Sequence, residues 1–465
     1  MAGPIFDPGD PGPGACLTPV RDPVAAMGFL DLGTHTIGET VPFGVPAGTR
    51  SFTIVSQEVP GTAEPFVLFQ GFLIPNSVVP SDVREPNGTL FYSDLAPLPH
   101  VGLYNDVTGV LAYYGGLSAI SGAFTVPNTS AALDLDLTTG SLPSGPWSFL
   151  VNDFSLECRS VFGCATGSSL GQYHIQVVME PRPFYSTGTL DLEVYLATDP
   201  ASPSLPNAGA AASDPQFARW VKNFAAYYAK AGICLGTVTV HDLPTWAKAR
   251  FAPSGVVDIS PADVAPGCDN LSQLFTMGLA PSQAVHLFFA DELVDRTIGA
   301  GFTVLGVDGS IPGPSGVPGT VNSGAVVGVF DLFGAEASAG ACSAPGAPNV
   351  ATCGTDVLAL VTAHEAGHWL GLYHTTELDG TIFDPISDTE TCACLACAPF
   401  ALRSRCAERN PFGSPTVMFN SYCIDRKPRC GGGENLMFWL FDERYSVGEI
   451  SRQQADVMRR NPAVQ

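Results

Sequence analysis

The sequence predicts a multidomain chain. An N-terminal all-β sandwich or jelly roll leads, and an α/β (α+β) domain follows, with a mixed sheet, one long helix and a loop-rich, disulfide-containing C-terminal lobe. Three observations point there. Between Met27 and Met179, short alternating apolar runs break at Gly, Pro, Asn and Asp, the pattern of many short strands. From Leu190 onward such runs are interleaved with a helix-period apolar stripe. Ten of the 13 cysteines lie after residue 230, which predicts disulfides and an oxidising compartment. At 465 residues the chain exceeds one ordinary core and suggests two or three domains.

The elements follow in order. Residues 1–22, Gly- and Pro-rich from Pro4 to Gly14, read as a flexible leader. No signal peptide opens the sequence, so any export signal is expected to have been removed or to lie outside it. Residues 23–182 form the expected sandwich, with strands such as Ser51 to Val55, Phe66 to Phe69 and His174 to Val178. Cys158 and Cys164 are placed to clip one loop. The prolines of Pro181-Arg182-Pro183 favour extended backbone and mark the boundary. In residues 183–465, Leu190 to Leu196 alternates as a strand. Asp214-Pro215 supplies an N-cap and first position for a helix to about Ala231, whose Trp220, Phe224 and Tyr227 or Tyr228 form a core stripe. Strands are expected at Thr237 to His241, Val285 to Phe289, Phe302 to Val307 and Ala325 to Phe330, with Thr355 capping the long helix after them.

Composition restricts partners. Hydrophobic residues are 45% of the chain and charged residues 14%, so a large core forms rather than general disorder. The formal charge, 21 − 44 = −23, argues against nucleic acid and anionic membranes. No run of about 18 apolar residues exists, which predicts no membrane span.

The chemistry concentrates in His364-Glu365-Ala366-Gly367-His368-Trp369-Leu370-Gly371-Leu372-Tyr373-His374. It reads H-E-x-x-H-x-x-G-x-x-H. On a helix, His364 and His368 share one face. Gly371 tolerates the positive φ that ends a helix, and the chain can then return His374 as a third nitrogen. Three protein ligands that leave a fourth position open are the arrangement of a catalytic zinc site. Glu365 lies beside the ion without ligating it, as a general base. Cys392, Cys394, Cys397 and Cys406 are read as disulfide partners in preference to a second metal site.

The signature is that of the metzincin metalloproteases, and over about residues 185–465 the chain resembles their pappalysin family. The likeness rests on the zinc segment, including its free positions. It also rests on Asp384-Pro385-Ile386-Ser387-Asp388-Thr389, on Leu305-Gly306 with Ile311-Pro312-Gly313 and Ser323 to Val327, on Asn435-Leu436-Met437, and on Ser446 to Pro462. The resemblance implies a secreted zinc endopeptidase acting on a protein or peptide substrate, extracellular or periplasmic. It implies an edge strand at Gly301 to Asp308, including Leu305 and Gly306, for substrate, and calcium at Asp384 and Asp388. It makes Met437 the Met-turn residue, with Met418 as competitor. Where the family often carries tyrosine, this chain has Trp439, so Trp439, Tyr422 or Tyr445 is the candidate for the oxyanion role. Cys16 is a candidate zymogen ligand. The alternatives are a non-catalytic surface or binding protein on a metzincin scaffold, and a protease of another metzincin family.

Overall fold

The computed structural model describes residues 28–59, 61–62, 66–69, 72–75, 78–92, 121–126, 141–153, 171–181, 187–201, 205–260, 269–277, 283–296, 304–317, 319–329, 354–377, 380, 383–384, 386–397, 400–407, 431–441 and 447–465. The leader with Cys16, the Cys158 and Cys164 loop, Met418, Tyr422 and Tyr445 lie outside them.

Among the described residues, ten strands build the N-terminal part. They are β1 (Gly28–Thr36), β2 (Thr40–Val45), β3 (Ser51–Glu58), β4 (Phe66–Phe69), β5 (Phe72–Pro75), β6 (Val78–Arg84), β7 (Leu90–Tyr92), β8 (Ser121–Val126), β9 (Gly145–Asp153) and β10 (Gln172–Glu180). Two four-stranded antiparallel sheets, β1-β10-β3-β8 and β2-β9-β6-β7, enclose one apolar core, and β4 and β5 form a separate pair. Alternation does the sorting: in β2, Val41, Phe43 and Val45 are buried and their neighbours exposed. Trp147 anchors the core, with Phe52 and Phe91 edge-on at 5.3 Å, the favoured quadrupole arrangement.

The second core belongs to a mixed sheet. Its region holds β11 (Gly188–Leu196), β12 (Ile233–Asp242), β13 (Val256–Asp258), β14 (Val285–Ala290), β15 (Glu292–Val294), β16 (Gly306–Asp308) and β17 (Ala325–Gly328). The order is β12-β11-β14-β17-β16, with β16 antiparallel at the edge and the others parallel. β14 is buried along its whole length, as a strand covered on both faces must be.

Helices cover those faces. α1 (Pro215–Ala229) starts where Asp214 accepts from Gln216 N at 2.6 Å, and it buries Trp220, Phe224, Tyr227 and Tyr228 against one face. α2 (Thr245–Phe251) and α3 (Asn270–Phe275) cover the other, around Tyr195 and Phe288. These two helices were not expected between the strands. At seven and six residues they are too short for a helical period to emerge. The edge strand is also shorter than expected, Gly306–Asp308 among the described residues.

α4 (Gly354–Trp369) lies beside α1 and carries the signature. Thr355 does not cap it. The residue lies inside the first turn, and its hydroxyl donates to Gln216 Oε1 at 3.0 Å. Asp356 locks the helix pair: Arg219 reaches it through Nε and Nη2, each at 2.9 Å, and Asn223 donates to it as well. Asp356→Ala strands both partners in a largely buried site and is expected to cost about 3 kcal/mol, read by urea denaturation. An unchanged midpoint would refute that role. α5 (Arg452–Arg460) closes the chain behind a capping box between Ser451 and Gln454.

Candidate metal centre

α4 has no single apolar face and is buried almost throughout, with His368 buried and His364 partly so. It ends as the glycine at 371 allows. Gly371 has φ +105°, its N–H donates to His368 O at 2.8 Å, and Leu372 N donates to Gly367 O at 3.0 Å. That pair of bonds is a Schellman motif, and it turns the chain back toward the helix.

The three Nε2 atoms of His364, His368 and His374 stand 3.1 Å from one another. Their Nδ1 atoms are each committed elsewhere: His364 to Leu436 O at 2.6 Å, His368 to Leu372 O at 2.7 Å and His374 to Glu377 Oε1 at 2.9 Å. Those oxygens only accept, so Nδ1 carries the proton on all three rings. With the rings neutral, three Nε2 lone pairs converge on one point, an arrangement that repels itself unless a cation lies between. A point equidistant from the nitrogens is about 1.8 Å from each in their plane, so a metal–nitrogen distance of about 2.0–2.1 Å is met just off it. The triad could hold a metal ion, and it is the one such cluster of three or more side chains among the described residues.

Electrostatics favour the neutral ring at two of the three histidines. Burial pulls His364 down to about 3, aided by His374. Burial also takes His368 well below its ordinary value. Burial pulls His374 down too, but the Glu377 carboxylate outweighs it and the net shift is upward. Glu365 is buried beside the triad, and burial pushes its carboxyl up to about 8 against the opposing pull of His374. β16 packs directly on it: a Cβ on Gly306 would lie 2.6 Å from both Glu365 Cγ and Oε1. Asp308, on the same strand, is buried as well, and burial together with Glu365 raises it well above the usual carboxylate range.

Met437 lies under α4, where a Cβ on Gly367 would come within 2.7 Å of its sulfur. Its turn is held by Asn435 Oδ1, which accepts from Met437 N at 2.8 Å. Asn435 and Gln454 pair side chain to side chain at 2.8 and 3.1 Å, so α5 fixes the turn whose Leu436 carbonyl orients His364. Trp439 is half-buried, and its indole N–H has no partner among the described residues.

The acidic loop is divided. Asp384 is buried, accepts from Thr389 Oγ1 at 2.6 Å and is pushed up to about 7, chiefly by burial. Asp388 is exposed and accepts from Gln453 N at 3.0 Å, at the start of α5. Cys394 and Cys406 form a disulfide, which removes two of the four cysteines from any metal set.

Two residues escaped the sequence reading. Glu377 follows the signature by three positions, where a carboxylate reaching back to His374 was the available signal. Asp308 had no local signal, because only sheet pairing brings it near Glu365. If the triad holds a metal, Glu377→Ala is expected to weaken its binding about 10- to 100-fold, and Glu377→Gln by less, since an amide oxygen still accepts from Nδ1. Competition with a chromophoric chelator measures this, and wild-type affinity in the alanine variant would refute it.

No family model matches the chain, and no curated protein matches it. Among solved structures, the chain is similar to metalloproteinase-II from Bacteroides fragilis at 11% identity, over 46% of this chain and 56% of that one, with a TM-score of 0.21. A likeness this slight carries no argument, and the matched part spans little more than half of that protein.

Proposed function

We propose that this chain is a secreted zinc endopeptidase of the metzincin clan, pappalysin-like over about residues 185–465. In this reading residues 183–465 are the catalytic domain and 23–182 an accessory sandwich. The observation that carries it is the convergence of three Nε2 lone pairs, all oriented through Nδ1, with a buried carboxylate beside them.

His364, His368 and His374 are the ligands, and their neutral imidazoles suit zinc. When bound, zinc polarises a carbonyl and acidifies water. Glu365 takes the proton from the attacking water and returns it to the leaving amine. Its raised pKa suits a group that must both accept and release a proton near neutrality. Gly306 keeps that carboxylate against the edge strand. The outer edge of β16, with Leu305, pairs with an extended protein or peptide substrate. Met437 floors the ligands as the Met-turn. Trp439 offers its indole N–H toward the oxyanion. Asp384 and Asp388 take calcium in the acidic loop. No described helix is long and apolar enough to cross a membrane.

The test is zinc stoichiometry together with hydrolysis of a peptide library, with and without chelator. One zinc per chain and chelator-sensitive cleavage are expected. Cleavage indifferent to chelator sinks the reading. Zinc without cleavage favours a binding protein built on the same scaffold.

A further inference from the structure

The two cores meet across a buried polar seam. Arg50 precedes β3, Glu180 ends β10, and both are almost fully excluded from water, with Arg50 Nη2 3.8 Å from Glu180 Oε2. The guanidinium then leaves the sandwich. It donates to the carbonyls of Asn461, at 3.5 Å, and Val464, more than 400 residues later in the chain. Gln283 bridges the same seam, donating to Glu180 Oε2 at 3.3 Å and to Pro462 O at 3.2 Å. The receiving segment is itself fixed to the mixed sheet. Val464 bridges Leu190, and Thr189 and Gln465 exchange backbone bonds of 2.7 Å.

Asn461 faces the other way, toward the triad. Its Nδ2 donates to Trp369 O at 3.4 Å, and its Oδ1 accepts from Ser315 Oγ at 2.7 Å. Trp369 ends α4 directly after His368, and its carbonyl also accepts from Gly313 N at 2.9 Å. Carbonyls in a helix's last turn lack intrahelical partners, so these two donors set how the turn finishes. The turn in question carries His368 and leads into His374.

We propose that the sandwich is a working part of the metal centre. Arg50 is a positioning residue that clamps the C-terminal segment, and through Asn461 that segment holds the last turn of α4 in the ligand geometry. Loss of the buried guanidinium removes a donor from Glu180 and from the Asn461 and Val464 carbonyls, so the segment has reason to shift. The metal part of this inference rests on the zinc reading above.

The experiment compares Arg50→Ala, Arg50→Lys and Asn461→Ala with Val55→Ala in the full chain. Val55 packs with Val178 and Val317 in an apolar contact of the same seam. Hydrogen exchange of the 366–372 amides is measured without metal, and cobalt affinity and visible spectrum with it. Arg50→Ala and Asn461→Ala are expected to speed that exchange about 3- to 30-fold, to weaken cobalt binding by a similar factor and to alter its spectrum. Arg50→Lys should recover part of each change, and Val55→Ala should lower the melting temperature while moving neither. Wild-type exchange and affinity in Asn461→Ala and folded Arg50 variants overturns the proposal, as does an equal response in Val55→Ala. Arg50→Lys and Asn461→Ala decide the matter if Arg50→Ala does not fold. Failure of the wild-type chain to bind cobalt overturns the zinc reading instead, and the exchange comparison still judges the coupling.

Discussion

Glu365→Gln is expected to keep its metal and lose peptide hydrolysis by about 10²–10⁴-fold in kcat. The amide occupies nearly the same volume, so the close approach of Gly306 is preserved and the strand has no cause to move. What disappears is the ability to accept a proton. The neighbouring ligands keep their Nδ1 partners, since none of those bonds involves residue 365. Metal content and kcat, measured on one preparation, separate the two effects. Full activity in this variant would remove the proposed base, and loss of metal would mean that Glu365 serves the ligand set.

The second large effect is thermodynamic. Zinc at about a thousandfold excess over its Kd is expected to stabilise the fold by about 4 kcal/mol. His368→Ala should abolish most of that gain. The physical reason is the lone-pair triangle. Three neutral rings whose nitrogens stand 3.1 Å apart, with their protons on the far side, repel one another until a cation comes between them. Two of them also resist protonation because burial disfavours the charged ring. A cation relieves this and binds the folded state selectively. Denaturant melts at fixed zinc, with chelator as the reference, read the difference. Equal zinc stabilisation of the wild type and His368→Ala would place the metal elsewhere.

Local rules carried the sequence reading where neighbouring residues decide the outcome. Asp214 caps α1 because a carboxylate before Pro215 can reach the first free N–H groups. Gly371 ends α4 because the turn needs positive φ. β11 was legible as alternation, Leu190, Leu192 and Val194 being buried and Asp191 and Glu193 half-buried between them. The reading lost resolution where elements are short. α2 and α3 have too few residues to display a period, and Thr355 looked like a cap although the helix begins before it.

The sequence by itself determined the spacing that puts His364 and His368 on one helical face, the glycine that turns His374 back, and the placing of an acid beside the first ligand. Only the tertiary structure decided which acceptors orient the three rings, that Gly306 lies against Glu365, and that Arg50 reaches across the molecule to the segment supporting Trp369. Spacing along a helix is fixed by bond geometry over a few residues. Contacts between residues hundreds of positions apart depend on how the whole chain closes, and no local pattern encodes that.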